Sequence, residues 1–175
     1  MKQKRLIIRS SILLIMVIAI GYTLYNHLYN ERGLVDRNDV APNFKVEDLD
    51  GNIIELEELR GKGVYLNFWA TYCVYCRQKM EVLRDNYEEY REQGIEIVSV
   101  NVNEQRLRIE RHADRFNINY PLYLDQHNLV RDAYGVVSLP STFLIDENGI
   151  VIERQIGGRT ESQVLASLEK LIPNQ

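Results

Sequence analysis

The sequence predicts an α/β sandwich built around a mixed β-sheet. Short apolar or alternating segments, which are typical of strands, take turns with longer segments whose apolar residues recur at helical spacing. The chain then closes with a hairpin pattern followed by one more helical pattern. Apolar residues make up 45% and charged residues 26% of the 175 positions, which is ordinary for a soluble globular domain with an appendage.

The first thirty residues predict a membrane anchor. No charged side chain occurs from Ser10 to Asn30, and this length matches the hydrocarbon core of a bilayer. Four basic residues precede the run, namely Lys2, Lys4, Arg5 and Arg9. The positive-inside rule then places the N-terminus in the cytoplasm and the following domain on the extracytoplasmic side of the cell membrane. We therefore expect residues 1–30 to be a cytoplasmic basic start with a single transmembrane signal-anchor. A cleaved signal peptide is the alternative, although no small-x-small cleavage site follows the run.

Residues 31–40 are polar and predict a linker, so that the folded domain spans residues 41–175. The domain begins with "NFKVEDLDGNIIEL", which alternates around Asp50, Gly51 and Asn52 and predicts a β-hairpin. The segment "LEELRGKG" then predicts a short helical turn that stops at glycine.

A buried strand and a long helix come next. Val64 to Ala70 is mostly apolar, which is typical of a strand that is covered on both faces. After it, apolar residues recur at spacings of four and three residues and predict a helix that ends at Gly94. This stripe comprises Cys76, Met80, Leu83, Tyr87 and Tyr90.

The second half of the chain continues the alternation. "IEIVSVNVN" and "YPLYLD" predict strands, "EQRLRIERHADRFNI" predicts a charged surface helix, and "QHNLVRDAYGV" predicts a short helix. "STFLIDENGIVIERQIG" predicts a hairpin around Asn148 and Gly149. Thr160 is placed to cap the last helix. The expected buried face of that helix comprises Val164, Leu165, Leu168 and Leu171 with Ile172.

The two cysteines of the chain, Cys73 and Cys76, lie where the buried strand turns into the long helix. The orphan N–H groups and the dipole at a helix N-terminus stabilise a thiolate, so a C-x-x-C pair there has a lowered thiol pKa. Cys73 is expected to be the more exposed sulfur and the attacking nucleophile, and Cys76 the resolving one. Arg77 and Lys79 add positive charge that favours the thiolate, unless both are solvated helix surface.

Other uses of the cysteine pair fit the sequence less well. A disulfide that closes so small a loop removes little entropy from the unfolded chain and is a poor structural staple. Zinc requires further ligands, and His27, His112 and His127 are scattered and expected at the surface, so we expect no metal. Haem attachment requires a histidine after the second cysteine, where the chain has Arg77. The threonine and proline offsets of a peroxiredoxin site are also missing.

Two motifs, "NFWATYCVYC" and "SLPSTFLID", resemble the thioredoxin superfamily. The resemblance implies a cis peptide bond between Leu139 and Pro140 beside the dithiol, where it shapes a groove for an extended substrate. Trp69, Tyr72 and Tyr75 surround the predicted groove. For Trp69 core packing is the favoured role, whereas the two tyrosines are equally compatible with docking and with packing.

The chain as a whole is similar to the membrane-anchored TlpA/ResA/CcmG group of that superfamily. This resemblance rests on the basic start, the anchor, "APNFKVEDLDGNIIELEELRGKGVYLNFWA", "GIEIVSVNVNE" and "LPSTFLIDENGIV". It implies a thioredoxin-like fold in which helices flank a central mixed sheet, with an N-terminal β-hairpin, an inserted helix and strand around residues 104–125, and a single N-terminal transmembrane helix.

The group implies a reductant of exported proteins that acts on the C-x-x-C-H disulfide of apocytochrome c and is recharged by a transmembrane thiol-electron donor. The redox-active dithiol is then the only cofactor expected. Two departures, Asn67 at the position of thioredoxin's buried aspartate and Lys79 where members of the group carry a glutamate, favour a lower thiol pKa and a more oxidising couple. The alternatives are a disulfide oxidase or isomerase and a client-binding module without turnover.

Nucleic acid is an unsuitable partner for this chain. Beyond residue 30 it carries 17 Lys and Arg against 25 Asp and Glu. Binding to phosphates requires clustered basic residues, which an acidic domain does not provide.

Overall fold

The computed structural model describes residues 2–30 and 34–173, which fall into two compact units. The first unit contains helix α1, Lys2–Asn30. Among the residues that the structure describes, no helix is long and apolar enough to span a bilayer. The membrane anchor therefore stays a prediction.

The second unit begins at Leu34 and contains the other elements. Its strands are β1 (Lys45–Asp48), β2 (Ile53–Glu55), β3 (Gly63–Trp69), β4 (Ile95–Val102), β5 (Leu122–Asp125), β6 (Ser141–Ile145) and β7 (Val151–Ile156). Its helices are α2 (Val74–Glu92), α3 (Arg106–Phe116), α4 (Leu129–Ala133) and α5 (Glu161–Glu169), with a 3-10 turn at Leu56–Leu59. Every strand and helix predicted for the folded domain is present.

The strands form one mixed sheet in the order β2-β1-β5-β4-β3-β6-β7. The strand β3 lies parallel to β4 and antiparallel to β6, and β5 from the predicted insertion pairs in parallel with β4. In the β3–β6 ladder Asn67 is opposite Thr142 and Phe68 is opposite Ser141. The fold is thioredoxin-like, as the motifs imply, and both predicted hairpins are antiparallel pairs.

The strand β3 is the structural centre of the domain, because all seven of its residues are buried. It starts at a glycine for a steric reason. A Cβ atom on Gly63 would collide with the backbone carbonyl oxygen of Leu171, which follows α5. The predicted stripe of α2 packs on one face of this strand, and its five members are all buried. Strand and helix together fix the turn that carries the two cysteines.

Two apolar layers cover the sheet. The helices α2, α3 and α5 bury one layer, and α4 with the segment before β1 buries the other. Val35, in the segment predicted as a linker, belongs to the second layer. Residues 31–33 of that linker lie outside the described residues.

Two expectations about burial were wrong. His112 is buried rather than at the surface, because it lies one turn after Ile109 on the inner face of α3. Ile172 is 38% exposed, since α5 ends before it and leaves Leu171 to fill the core.

Candidate active site

The turn between β3 and α2 places both sulfurs at a helix N-terminus. Cys73 is the N-cap residue of α2, and the backbone N–H of Cys76 donates a hydrogen bond to Cys73 Sγ at 3.2 Å. The first turn of α2 contains no acidic residue, so the N–H groups and the helix dipole favour negative charge on Cys73. The two cysteines form a disulfide, with their Cα atoms 5.2 Å apart.

The two sulfurs differ in access, as expected. Cys73 is partly exposed and lines the surface groove described next, whereas Cys76 is fully buried among the apolar residues of α2 and the sheet. A substrate can therefore reach Cys73 and not Cys76. This asymmetry suits a sequence in which Cys73 attacks first and Cys76 resolves the mixed disulfide.

A groove of about 740 Å³ runs past Cys73. Tyr72 and Tyr75 form part of its wall and are 72% and 62% exposed, so their rings present apolar surface to solvent. Leu139 also lines the groove. Such a wall can hold an extended peptide against the reactive sulfur.

The remaining predicted groove residues, Pro140 and Trp69, are buried and do not line this groove. The peptide bond between Leu139 and Pro140 is cis, as the resemblance implied. Pro140 itself is buried, and its carbonyl oxygen accepts a hydrogen bond of 2.8 Å from the backbone N–H of Gly157. Trp69 is fully buried in the layer beneath α2, which agrees with packing as its favoured role.

A close approach holds Tyr75 in position. The ring and Cβ of Tyr75 lie directly over the backbone of Gly158, where an added Cβ would come within 2.8 Å of the ring. The absence of a side chain at Gly158 therefore provides the space into which Tyr75 fits.

Glu104, from the loop that precedes α3, holds the turn before Cys73. Its carboxylate accepts hydrogen bonds from the backbone N–H and the hydroxyl of Thr71, both at 2.6 Å, and from the Asn101 amide at 2.9 Å. Burial opposes ionisation of Glu104, but the hydrogen bonds from Asn101 and Thr71 outweigh it and lower the pKa of the carboxyl. Glu104 therefore stays ionised and fixes the loop on which Cys73 sits.

A smaller pocket of about 230 Å³ on the other side of Cys73 is basic. Arg77 and Arg115 both stack over the ring of Phe116, with their guanidinium carbons 5.5 and 5.4 Å from its centre. The His112 ring packs at a tilt against both Phe116 and Trp69, with ring centres 4.6 and 5.2 Å apart. Burial lowers the pKa of His112, the two arginines act in the same direction and Glu104 opposes them. Neutral imidazole is therefore favoured beside two permanent cations.

Lys79 is not solvated helix surface, contrary to one of the two roles considered for it. Its side chain is 0% exposed, and Nζ donates a hydrogen bond of 2.7 Å to Thr142 Oγ1 on β6. Thr142 in turn donates to the Asn67 side-chain oxygen at 3.3 Å. Burial, reinforced by the charge of Arg159, lowers the pKa of Lys79 from 10.5 to about 7. The layer that contains Cys76 thus also contains a basic amine.

The chain matches the AhpC/TSA family over residues 38–154. It is 44% identical to the thiol-disulfide oxidoreductase ResA of Halalkalibacterium halodurans, and the alignment covers 98% of each chain. It is 39% identical to the protein of the same name from Bacillus subtilis, with 99% of this chain and 97% of that one covered.

Solved structures share the fold. A thiol:disulfide interchange protein of the thioredoxin family from Chlorobium tepidum superimposes with a TM-score of 0.70 at 26% identity. That comparison covers 78% of this chain and 97% of the other.

Proposed function

This chain belongs to the ResA family of thiol-disulfide oxidoreductases, and from that membership we propose that it reduces exported proteins, with the haem-site cysteines of apocytochrome c as substrate. The observation that carries the proposal is the asymmetric pair, with Cys73 open to a groove and Cys76 buried behind it. The exposed rings of Tyr72 and Tyr75 support binding of an extended peptide there.

The chemistry needs only the two cysteines. The Cys73 thiolate attacks one sulfur of the client disulfide, a mixed disulfide forms, and the other client sulfur leaves as a thiolate. The Cys76 thiolate then attacks Cys73 Sγ, which closes the Cys73–Cys76 disulfide and releases the second client thiolate. Two electrons pass from the enzyme to the client, and a transmembrane thiol-electron donor restores the dithiol. No other cofactor is required.

The test is a trapping experiment with the full-length chain in mild detergent. The Cys76→Ser variant cannot resolve a mixed disulfide, so an oxidised C-x-x-C-H peptide should remain attached to Cys73 as a thiol-sensitive mass increase. The Cys73→Ser variant is the matched control and should form no adduct. A client-binding module without turnover would give no adduct with either variant, and that result would overturn the proposal.

A second function, disulfide formation in exported proteins, is favoured by the residues beside the pair. Position 67 is asparagine and position 79 is a lysine, so neither supplies the negative charge that would disfavour a thiolate. The reduction potential separates the two directions of electron flow. A reduction potential of about −270 mV supports the reductant function, and one of about −120 mV supports disulfide formation.

We also propose that residues 1–30 attach the enzyme to the cell membrane, with the catalytic domain on the extracytoplasmic side. The charge-free run after four basic residues supports this, and so do the large apolar side chains of α1 between Ile12 and Tyr25, which are more than half exposed. The full-length chain should resist alkaline extraction from membranes, and protease added outside the cell should reach the catalytic domain. Release of the intact chain at alkaline pH would contradict the anchor.

A further inference from the structure

Lys79 and Cys76 lie on the same face of α2. They are three residues apart, a spacing that makes side chains neighbours on a helix. Both are fully buried on the side of the sheet that α2 covers, and Thr142, which accepts the Lys79 hydrogen bond, is two residues beyond Pro140. The amine is thus inside the protein, between α2 and the strand β6 that follows Pro140.

The surroundings of Lys79 give it no negative partner. Its hydrogen-bond acceptor is a hydroxyl, and the next group along, Asn67, is an amide. Within residues 2–30 and 34–173 no carboxylate lies at ion-pair distance from Nζ, and the charged group that acts on it most is another cation, Arg159. Lysine is almost never fully buried without a partner, because removing water from an ammonium is costly.

The other titratable groups on this side of the sheet do not change that balance. Burial keeps the phenols of Tyr65 on β3 and Tyr120 before β5 neutral by raising their pKa values. Glu153 on β7 is held by an ion pair of 2.7 Å to Lys170. Apart from Arg159, the ionisable group nearest to Lys79 along the buried face of α2 is Cys76, three residues before it.

Burial disfavours the charged form of Cys76 as well, but that form is an anion. Cys76 must become a thiolate to resolve a mixed disulfide, yet it is buried among apolar side chains, and burial raises the pKa of a thiol. A buried cation and a buried anion that are each unfavourable alone stabilise one another.

We propose that Lys79 is the positioning residue that supplies the buried positive charge for the Cys76 thiolate. This inference rests on the thiol-disulfide activity of the pair and is independent of which client is reduced. When the disulfide accepts two electrons from a donor dithiol, the S–S bond breaks and the Lys79 ammonium keeps Cys76 as a thiolate. When Cys76 then attacks Cys73 Sγ, the anion is consumed, and the ammonium more readily gives its proton to water.

The first test replaces Lys79 with methionine, which keeps length and removes charge, in the full-length chain in mild detergent. Thiolate absorbance of the reduced protein is measured against pH. We expect the pKa of Cys76 to rise by about one unit, which corresponds to about tenfold less thiolate at any pH below that pKa. The matched comparison is Arg77→Met, which removes a partly exposed cation next to Cys76 in sequence. Its effect should be smaller and should disappear at high salt, whereas the Lys79 effect should persist.

The second test uses only the wild-type chain, so it does not depend on how any variant folds. Coupling is reciprocal, and reduction of the disulfide must therefore raise the pKa of Lys79 by as much as Lys79 lowers that of the thiol. The pKa is read from the ¹³Cε shift of labelled lysine in the oxidised and the reduced protein.

Two results would overturn the assignment: an unchanged thiol pKa in Lys79→Met, or the same Lys79 pKa in both redox states. Trapping of the client peptide by Cys76→Ser is measured alongside. If trapping succeeds and the coupling is absent, Lys79 has no such role and the oxidoreductase activity stands. If Cys76→Ser traps no client peptide either, the result refutes the proposed oxidoreductase function, and with it the role of Lys79 that rests on that function.

Discussion

Substitution of Lys79 by methionine should stabilise the oxidised protein, and by an amount that depends on pH. Burial lowers the pKa of Lys79 from 10.5 to about 7, whereas the unfolded chain keeps the ordinary value. Between these values the unfolded state binds a proton that the folded state does not, so the stability of the wild type rises with pH across this window. The cost of the buried ammonium is therefore fully present below pH 7 and fades toward pH 10.5.

The magnitude follows from the two pKa values. At 1.36 kcal/mol for each pKa unit, the cost falls by about 4 kcal/mol between pH 6 and pH 10. Methionine has nearly the volume of lysine and no charge, so the variant lacks this dependence. All other groups that titrate in this range are the same in both proteins, and their contributions cancel in the difference.

Urea denaturation of both proteins, followed by circular dichroism at pH 6, 7, 8, 9 and 10, measures this difference. The advantage of Lys79→Met should be greatest at pH 6 and shrink steadily as the pH rises. Lys62→Met is the matched control, because Lys62 is half exposed and its ion pair with Glu96 lies at the surface. Stability curves of Lys79→Met and wild type that run parallel from pH 6 to pH 10 would refute the reasoning.

Three further substitutions test the framework of the site. Gly63→Ala forces a Cβ against the Leu171 carbonyl and should lower the free energy of unfolding by about 1–3 kcal/mol in urea denaturation, and an unchanged midpoint would contradict the contact. Glu104→Gln weakens the hydrogen bonds that fix Thr71 and the loop carrying Cys73, so it should slow reduction of a disulfide peptide. Because the Glu104 pKa is lowered, the wild type should also lose stability as the pH falls below 4.5, a loss that the variant should lack. Thr160→Ala removes one half of the capping box of α5 and should cost about 1 kcal/mol by thermal unfolding, while Thr160→Ser should cost much less.

The parts of the fold that could be predicted are the strands and helices whose apolar residues form a continuous run or recur at regular spacing in the sequence. The buried strand β3 and the apolar stripe of α2 each leave a periodic pattern, so their place in the core could be inferred without coordinates. The position of the dithiol followed, since it lies at the junction of these two elements.

The solvated-surface role considered for Lys79 and the surface position expected for His112 were wrong for one common reason. Both occupy the buried face of their helix, three residues after Cys76 and Ile109 respectively. The helical spacing indicated burial, but the polarity of the side chains indicated solvent. Spacing was the better guide in both helices, and a charged residue in register with an apolar stripe is the signal that could have identified them.

The hydrogen bonds from Thr71 to Glu104 could not have been predicted from the sequence. The two residues are 33 positions apart, and their contact depends on β4 lying parallel beside β3. No local sequence pattern indicates that these two strands lie side by side. The role of Glu104 follows only from the arrangement of the sheet.

Trp69 gives this enzyme an intrinsic optical probe. It is the single tryptophan of the chain, it packs in the same buried cluster as Cys76, and its ring centre lies 5.2 Å from that of His112. Disulfides and protonated imidazoles both quench the fluorescence of a nearby indole. Emission from one side chain therefore reports the oxidation state of the cysteine pair and the protonation of His112, and the progress of each turnover can be followed without a label.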